Sequence, residues 1–173
     1  MLGLMGAGKT TVGKVVAERL GIPLIDGDER LSDDTGGRTA AEIADEQGLD
    51  VLHAMEADIA LTALSEAQPA VVAPASSVCE STAVRDALAA HLVVWLQAPA
   101  DLLAERAVRQ SHRPLLDHGD VVKMFEEQLA TREPLVVPLA GLVVDVSTAG
   151  IEKAADAVVT FVGDDLPVEE AVD

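Results

Sequence analysis

The sequence predicts a three-layer α/β fold, in which helices cover both faces of a short central parallel sheet. Short apolar runs alternate with helical patterns along the 173 residues. The run Leu92–Leu96 is apolar at every position, which is typical of a strand buried on both faces. A glycine-rich loop at Gly3–Thr10 precedes the first helical pattern, as in folds that bind phosphate after a strand. Length favours one domain, predicted to span residues 1–163.

The elements follow from apolar periodicity, beginning with a first helix that is apolar at Val12, Val15, Val16 and Leu20. Strands are predicted at Ile22–Asp26, Ala70–Ala73, Leu92–Gln97 and Leu142–Val146. Helices are predicted at Lys9–Leu20, Thr39–Glu46, Val51–Ser65, Ser81–Ala90, Ala100–Gln110, Gly119–Thr131 and Ile151–Val162. A buried strand normally precedes such a loop, yet only Met1 and Leu2 do so here. The strand is either a stub or begins further upstream, and we favour the second interpretation.

Composition and charge limit the classes of partner. The net charge is −18, which argues against nucleic acid because phosphate contacts need a basic surface. The sequence has no apolar run long enough to span a membrane and no room for a signal peptide before the loop. The single cysteine, Cys79, excludes an internal disulfide and a cysteine-based zinc site. We therefore expect a cytoplasmic monomer that binds a small molecule, with a flexible acidic tail at residues 164–173.

The loop Gly3–Thr10 has the pattern of a phosphate-binding loop, with glycine, four residues and then Gly-Lys-Thr. Its glycines let the backbone turn and direct N–H groups at a polyphosphate, and the following helix adds its positive end. Lys9 would reach the β- and γ-phosphates, and the hydroxyl of Thr10 would bind Mg²⁺. A simple strand–helix connection is the alternative, but the amphipathic helix that follows favours ATP and Mg²⁺. The predicted nucleotide contacts are Gly6, Ala7, Gly8, Lys9, Thr10 and Thr11.

A pair of carboxylates, Asp26 and Asp28, ends the strand after the loop helix. The carboxyl end of a strand faces the usual ligand crevice of an open α/β sheet. One carboxylate can hold Mg²⁺ through water, and the other can accept a proton from a substrate hydroxyl. An Asp-Gly turn is the alternative, and the position after a phosphate loop favours chemistry. Four arginines between Arg106 and Arg132 could supply the positive charge that ATP needs.

Taken in order, these motifs resemble the shikimate kinase family. Gly37–Glu56 looks like the segment of that family that carries Phe-Arg-x-x-Glu, Arg113–Leu116 looks like its lid, and Arg132–Leu135 looks like its Arg-x-Pro-Leu motif. The resemblance covers roughly residues 3–160 and implies a P-loop NTPase-type fold like that of nucleoside monophosphate kinases. It also implies an acceptor-binding segment at about 30–60 and a lid at about 109–120. The implied activity is ATP-dependent phosphorylation of shikimate to shikimate 3-phosphate, in aromatic amino-acid biosynthesis.

The resemblance implies roles for residues around the transferred phosphoryl group. Lys9, Asp28 and Arg113 would be catalytic, with Asp28 orienting or deprotonating the acceptor hydroxyl. Thr10 and Asp26 would lie at Mg²⁺. Arg106 would stack on adenine, and Arg113 would also contact the phosphates from the lid.

The acceptor side departs from the family pattern. Arg132 would pair with the substrate carboxylate, but the family's other arginine is His53 here, which cannot form a guanidinium fork. Pro74–Ser77 replaces the family's Gly-Gly-Gly, so Ser76 and Ser77 either contact the acceptor or cap the next helix. Glu56 either fixes the acceptor-site arginines or faces solvent, and family position favours the first. A kinase for another small polyol and a non-catalytic nucleotide-binding relative therefore stay open as alternatives.

Overall fold

The computed structural model describes residues 1–110 and 118–165. Helices are α1 Lys9–Leu20, α2 Gly27–Asp34, α3 Ala40–Gln47, α4 Leu49–Leu64, α5 Thr82–Leu88, α6 Ala100–Gln110, α7 His118–Val136 and α8 Gly150–Asp165. Strands are β1 Leu24–Asp26, β2 Val71–Ala73, β3 Val94–Gln97 and β4 Leu142–Asp145. Two short 3₁₀ helices span Ser76–Glu80 and Val137–Leu139. No helix in this described part combines the length and the apolar character that crossing a bilayer requires.

All the strand pairs are parallel. Strand β1 pairs with β2, with Leu24 opposite Val71, and β3 pairs with β4, with Val94 opposite Leu142. The first two residues lie between these pairs. The N–H of Leu2 donates to the carbonyl of Val94 at 2.8 Å, and the amino group of Met1 donates to the carbonyl of Val72 at 2.6 Å. A two-residue stub therefore occupies the central strand position, directly before the phosphate loop.

An apolar cavity of about 370 Å³ lies beside this stub. Val71 and Val94, from the two neighbouring strands, line it together with Leu88 of α5.

The main core lies between the sheet and the helices on its two faces. Trp95, Phe125, Leu96 and Leu103 are almost fully buried in it. A second, smaller cluster joins α2, α3 and α4 through Leu31, Ile43 and Leu52. Each such side chain contributes about 1.5–3 kcal/mol when it leaves water. This second core packs the three helices of the predicted acceptor-binding segment against one another.

Most predicted helix and strand ends differ from the observed ones by one or two residues, and larger differences occur at α2, α7 and α8. Helix α2 was absent from the predicted elements; it forms because the Asp26 carboxylate accepts hydrogen bonds from the N–H groups of Asp28 at 2.9 Å and Glu29 at 3.4 Å. Helix α7 continues past the predicted end at Thr131, includes Pro134 and ends at the fully buried Val136. Helix α8 continues past the predicted end at Val162 to Asp165, and residues 166–173 of the predicted tail lie outside the described residues.

Candidate active site

The phosphate loop has the backbone that its glycines predict. Gly6 and Gly8 adopt φ angles of 82° and 90°, a left-handed conformation that other residues rarely adopt. A Cβ on Gly6 would also lie 3.2 Å from the carbonyl oxygen of Leu103. Gly8 caps α1, so the first N–H groups of this helix lack intrahelical partners and can bind an anion. The ammonium of Lys9 donates to the carbonyl of Gly3 at 2.9 Å, across the loop.

Thr10 and Asp26 join the loop to the end of β1. The hydroxyl of Thr10 donates to Oδ2 of Asp26 at 2.6 Å, while Oδ1 accepts the two N–H groups that begin α2. Asp26 is only 5% exposed, so both of its oxygens are fixed in position. The Thr10 hydroxyl and the Asp26 carboxylate thus offer neighbouring oxygen atoms, which are the ligands that Mg²⁺ prefers.

Lys9 and Asp28 influence each other's ionisation. Burial raises the pKa of the Asp28 carboxyl, the charge of Asp26 raises it further, and the charge of Lys9 opposes both effects. Burial lowers the pKa of Lys9, against the charges of Asp28 and Asp26. A carboxylate with a raised pKa is a stronger proton acceptor, which suits a general base for an acceptor hydroxyl.

One side of the phosphate loop borders a cavity of about 270 Å³. Its walls come from the loop, Arg106 of α6 and the residues that follow β4; they include Gly6, Ala7, Gly8, Thr11, Arg106, Val146 and Gly150. Arg106 donates to the carbonyl of Gly6 at 3.1 Å and to that of Val146 at 3.3 Å. Its planar guanidinium is therefore held beside the cavity, where it can stack on a base.

On its other side the loop borders a larger cavity of about 790 Å³. This cavity brings together predicted residues from α1, β1, α2, α4, the first 3₁₀ helix and α7. They are Gly6, Gly8, Lys9, Thr10, Thr11, Asp26, Asp28, His53, Glu56, Ser76 and Arg132. Only Arg113, with most of the predicted lid at 109–120, lies outside the described residues.

The serines that replace the glycines bind other side chains. Ser77 donates a hydrogen bond to Glu56, which is 9% exposed. Burial raises the pKa of Glu56, whereas this hydrogen bond and the charge of His53 lower it. Ser76 accepts a hydrogen bond from Nη1 of Arg132 at 3.2 Å. The cap of α5 is Ser81 instead, so neither serine caps that helix, and their contact with the acceptor stays a prediction.

Sequence reasoning missed three side chains of this cavity or its border. Gln128 lines it and accepts from Nη1 of Arg132 at 3.0 Å; its position one helical turn earlier could have indicated this. Glu80 accepts from Nε of Arg132 at 2.7 Å, and no sequence signal pointed to this pair. Arg38 also lines the cavity, immediately before the Thr39 cap of α3.

Comparison with known proteins agrees with this geometry. The family model described as shikimate kinase matches residues 5–163. The shikimate kinase of Thermobifida fusca is 35% identical over 91% of this chain and 90% of that protein. This chain belongs to the shikimate kinase family. The shikimate kinase of Mycobacterium avium is 32% identical over 99% of this chain and 94% of that protein.

Solved shikimate kinase structures have the same fold. The structure of the Acinetobacter baumannii enzyme in complex with shikimate superposes with a TM-score of 0.85, at 27% identity, over 96% of this chain and 93% of that one. The Bacteroides thetaiotaomicron shikimate kinase superposes with a TM-score of 0.82, over 94% of this chain and 96% of that one. These comparisons confirm the predicted α/β P-loop kinase fold and the predicted enzyme class, an ATP-dependent small-molecule kinase.

Proposed function

We propose that this member of the shikimate kinase family transfers the γ-phosphoryl group of ATP to a hydroxyl of shikimate, giving shikimate 3-phosphate. One observation carries the proposal. A single cavity of about 790 Å³ borders both the phosphate-loop residue Lys9 and the carboxylate Asp28, and it ends at the buried Arg132. A phosphate-binding ammonium group, a carboxylate that can accept a proton and a guanidinium that can bind a carboxylate thus share one space. The structure of the related Acinetobacter baumannii enzyme contains bound shikimate, which supports shikimate as the acceptor.

The nucleotide half of the site suits ATP and Mg²⁺. ATP supplies the phosphoryl group, and Mg²⁺ neutralises its developing charge. Lys9 and the N–H groups at the start of α1 would bind the phosphates, while Thr10 and Asp26 would hold Mg²⁺, the latter through water. Arg106 would stack on adenine beside the smaller cavity. Rate acceleration would come mainly from this positioning and charge neutralisation.

The acceptor half orients the hydroxyl. Asp28 would accept its proton, helped by the raised pKa of this carboxyl. Arg132 would bind the shikimate carboxylate, because a guanidinium forms charge-assisted hydrogen bonds with it. His53, Glu56 and Ser76 would contact or orient the acceptor from the walls of the same cavity.

A second candidate function rests on the altered acceptor wall. His53 stands where the family's arginine is expected, and Ser76 and Ser77 add hydroxyl groups where glycine is expected. Loss of one charge-assisted contact costs about 1.5–3 kcal/mol, enough to change acceptor preference. An acceptor polyol without a carboxylate is therefore the alternative substrate class.

The remaining parts of the proposal concern organisation. The proposed enzyme is a cytoplasmic monomer with one kinase domain at residues 1–163. Residues 30–60 would form the acceptor-binding segment. A lid at about 109–120 would close over the reactants and bring Arg113 to the phosphates, so that water is excluded during transfer.

The decisive experiment is ADP release with ATP, Mg²⁺ and millimolar shikimate, against a blank without acceptor. Shikimate-dependent ADP release supports the proposal. No stimulation, with ATP binding still detectable, contradicts it, and neutral polyols are then tested as acceptors. The site is tested by Lys9→Ala, which should lower turnover at least about 100-fold while the protein stays folded. Lys14→Ala is the matched control, since Lys14 lies on the same helix with its side chain 62% exposed.

A further inference from the structure

Arg132 is a buried cation whose hydrogen-bonding capacity is already partly used. It is 8% exposed and lies in α7, at the wall of the larger cavity. Its Nε donates to Oε1 of Glu80 at 2.7 Å, and its Nη1 donates to Ser76 at 3.2 Å and to Gln128 at 3.0 Å. A guanidinium has five N–H groups, and these three contacts engage two of its three nitrogens.

Only Nη2 lacks a hydrogen-bond partner among the described residues. A carboxylate bound by a two-nitrogen fork needs Nη2 together with Nε or Nη1. One of those nitrogens is held by Glu80, and the other is shared by Ser76 and Gln128. An anionic acceptor must therefore displace one of the internal partners or bind through Nη2 alone.

The three partners differ in charge and in position. Ser76 and Gln128 are neutral and line the cavity, so they can turn toward a ligand. Glu80 carries a negative charge, its side chain is 45% exposed, and it is not among the described residues that line the cavity. It approaches the guanidinium at Nε and lowers the positive charge that Arg132 offers to the cavity.

Other charged groups do not compensate for this loss among the described residues. The cavity is lined by three cationic side chains, those of Lys9, Arg38 and Arg132. The same wall carries three carboxylates, those of Asp26, Asp28 and Glu56. Arg38 is also paired with Glu46 at 3.3 Å. A fourth carboxylate, bound to the one arginine that is buried among the described residues of this wall, thus weakens attraction for an anion.

We propose that Glu80 is a positioning residue that limits how tightly the site binds a carboxylate-bearing acceptor, by holding Nε of Arg132 and sharing its charge. Glu80 fixes the orientation of the guanidinium and competes electrostatically with the carboxylate of the acceptor. The inference rests on the proposed function, because the proposed acceptor, shikimate, supplies the carboxylate that Arg132 would bind. It assigns no chemical step to Glu80.

Two substitutions separate these effects. Glu80→Gln keeps an oxygen that can accept from Nε and removes the charge, so we expect shikimate to bind about two- to fivefold more tightly. Glu80→Asp keeps the charge on a shorter side chain and should not tighten binding. The control is Glu66→Gln, because Glu66 also accepts from an arginine at 2.7 Å with a side-chain exposure of 39%, and Arg30, its partner, does not line this cavity.

The measurements are the dissociation constant of shikimate by calorimetry with ADP and Mg²⁺, and KM and kcat in turnover. The proposal expects Glu80→Gln to lower the dissociation constant and KM for shikimate, with kcat and KM for ATP unchanged. It is overturned if Glu80→Gln binds shikimate no more tightly than the wild type, if neither binds it, or if Glu80→Asp tightens binding equally. Wild-type turnover tests the proposed function separately, since the Glu80 comparison needs only binding.

Discussion

Substitution of Asp26 tests two roles that one carboxylate combines. Its Oδ1 caps α2 by accepting from the N–H groups of Asp28 and Glu29, and its Oδ2 accepts from the hydroxyl of Thr10 at 2.6 Å. Loss of a helix cap costs about 1 kcal/mol. Loss of a hydrogen bond to a charged group costs about 1.5–3 kcal/mol. Relief of the repulsion between Asp26 and Asp28 offsets part of these costs.

We therefore expect Asp26→Ala to lower the free energy of unfolding by about 2–3 kcal/mol. At this chain length the melting temperature should fall by roughly 4–12 °C. Asp26→Asn keeps a carbonyl oxygen for the helix N–H groups, so its stability should change by less than about 1 kcal/mol. Because it lacks the charge proposed to hold Mg²⁺, its turnover should still fall at least about 100-fold.

The assays are urea unfolding followed by circular dichroism, and ADP release at several Mg²⁺ concentrations. Asp33→Ala is the control, since Asp33 is exposed on the same helix and its side chain caps nothing in the structure. Wild-type stability of Asp26→Ala would refute the capping argument. Near wild-type turnover of Asp26→Asn would refute the proposed metal role, whatever the stability shows.

Two further predictions concern the acceptor half. Because the pKa of Asp28 is raised, this base becomes protonated, and therefore inactive, at a higher pH than an ordinary aspartate does. The value of kcat/KM should therefore fall on acidification with an apparent pKa above 3.8. Asp28→Asn should abolish turnover, whereas the control Asp33→Asn should keep both the turnover and the pH profile of the wild type. His53→Arg should lower KM for shikimate about tenfold or more by adding a charge-assisted contact, whereas His91→Arg, outside that cavity, should not. An unchanged KM for His53→Arg would mean that the pocket does not use this position for a carboxylate.

The local parts of the site could be predicted because they depend on residues close in sequence. Gly6, Gly8 and Lys9 form a loop whose conformation is determined by glycine stereochemistry and by the helix that follows it. The bounds of α1 and α6 were predicted correctly for the same reason, since apolar periodicity and their flanking residues identify them. Helix α2 was missed because its stability depends on how the Asp26 side chain turns back onto the chain.

The sequence by itself determined the α/β class, the phosphate loop, the carboxylate pair and the family resemblance, all of which depend on local patterns and their order. Tertiary structure decided that Ser76 and Glu80 share the nitrogens of Arg132, and that Ser77 binds Glu56. These partners are separated from one another by up to 56 positions. Such contacts form only when the helices pack, because hydrogen bonding of a buried side chain depends on which groups the fold brings within about 3 Å.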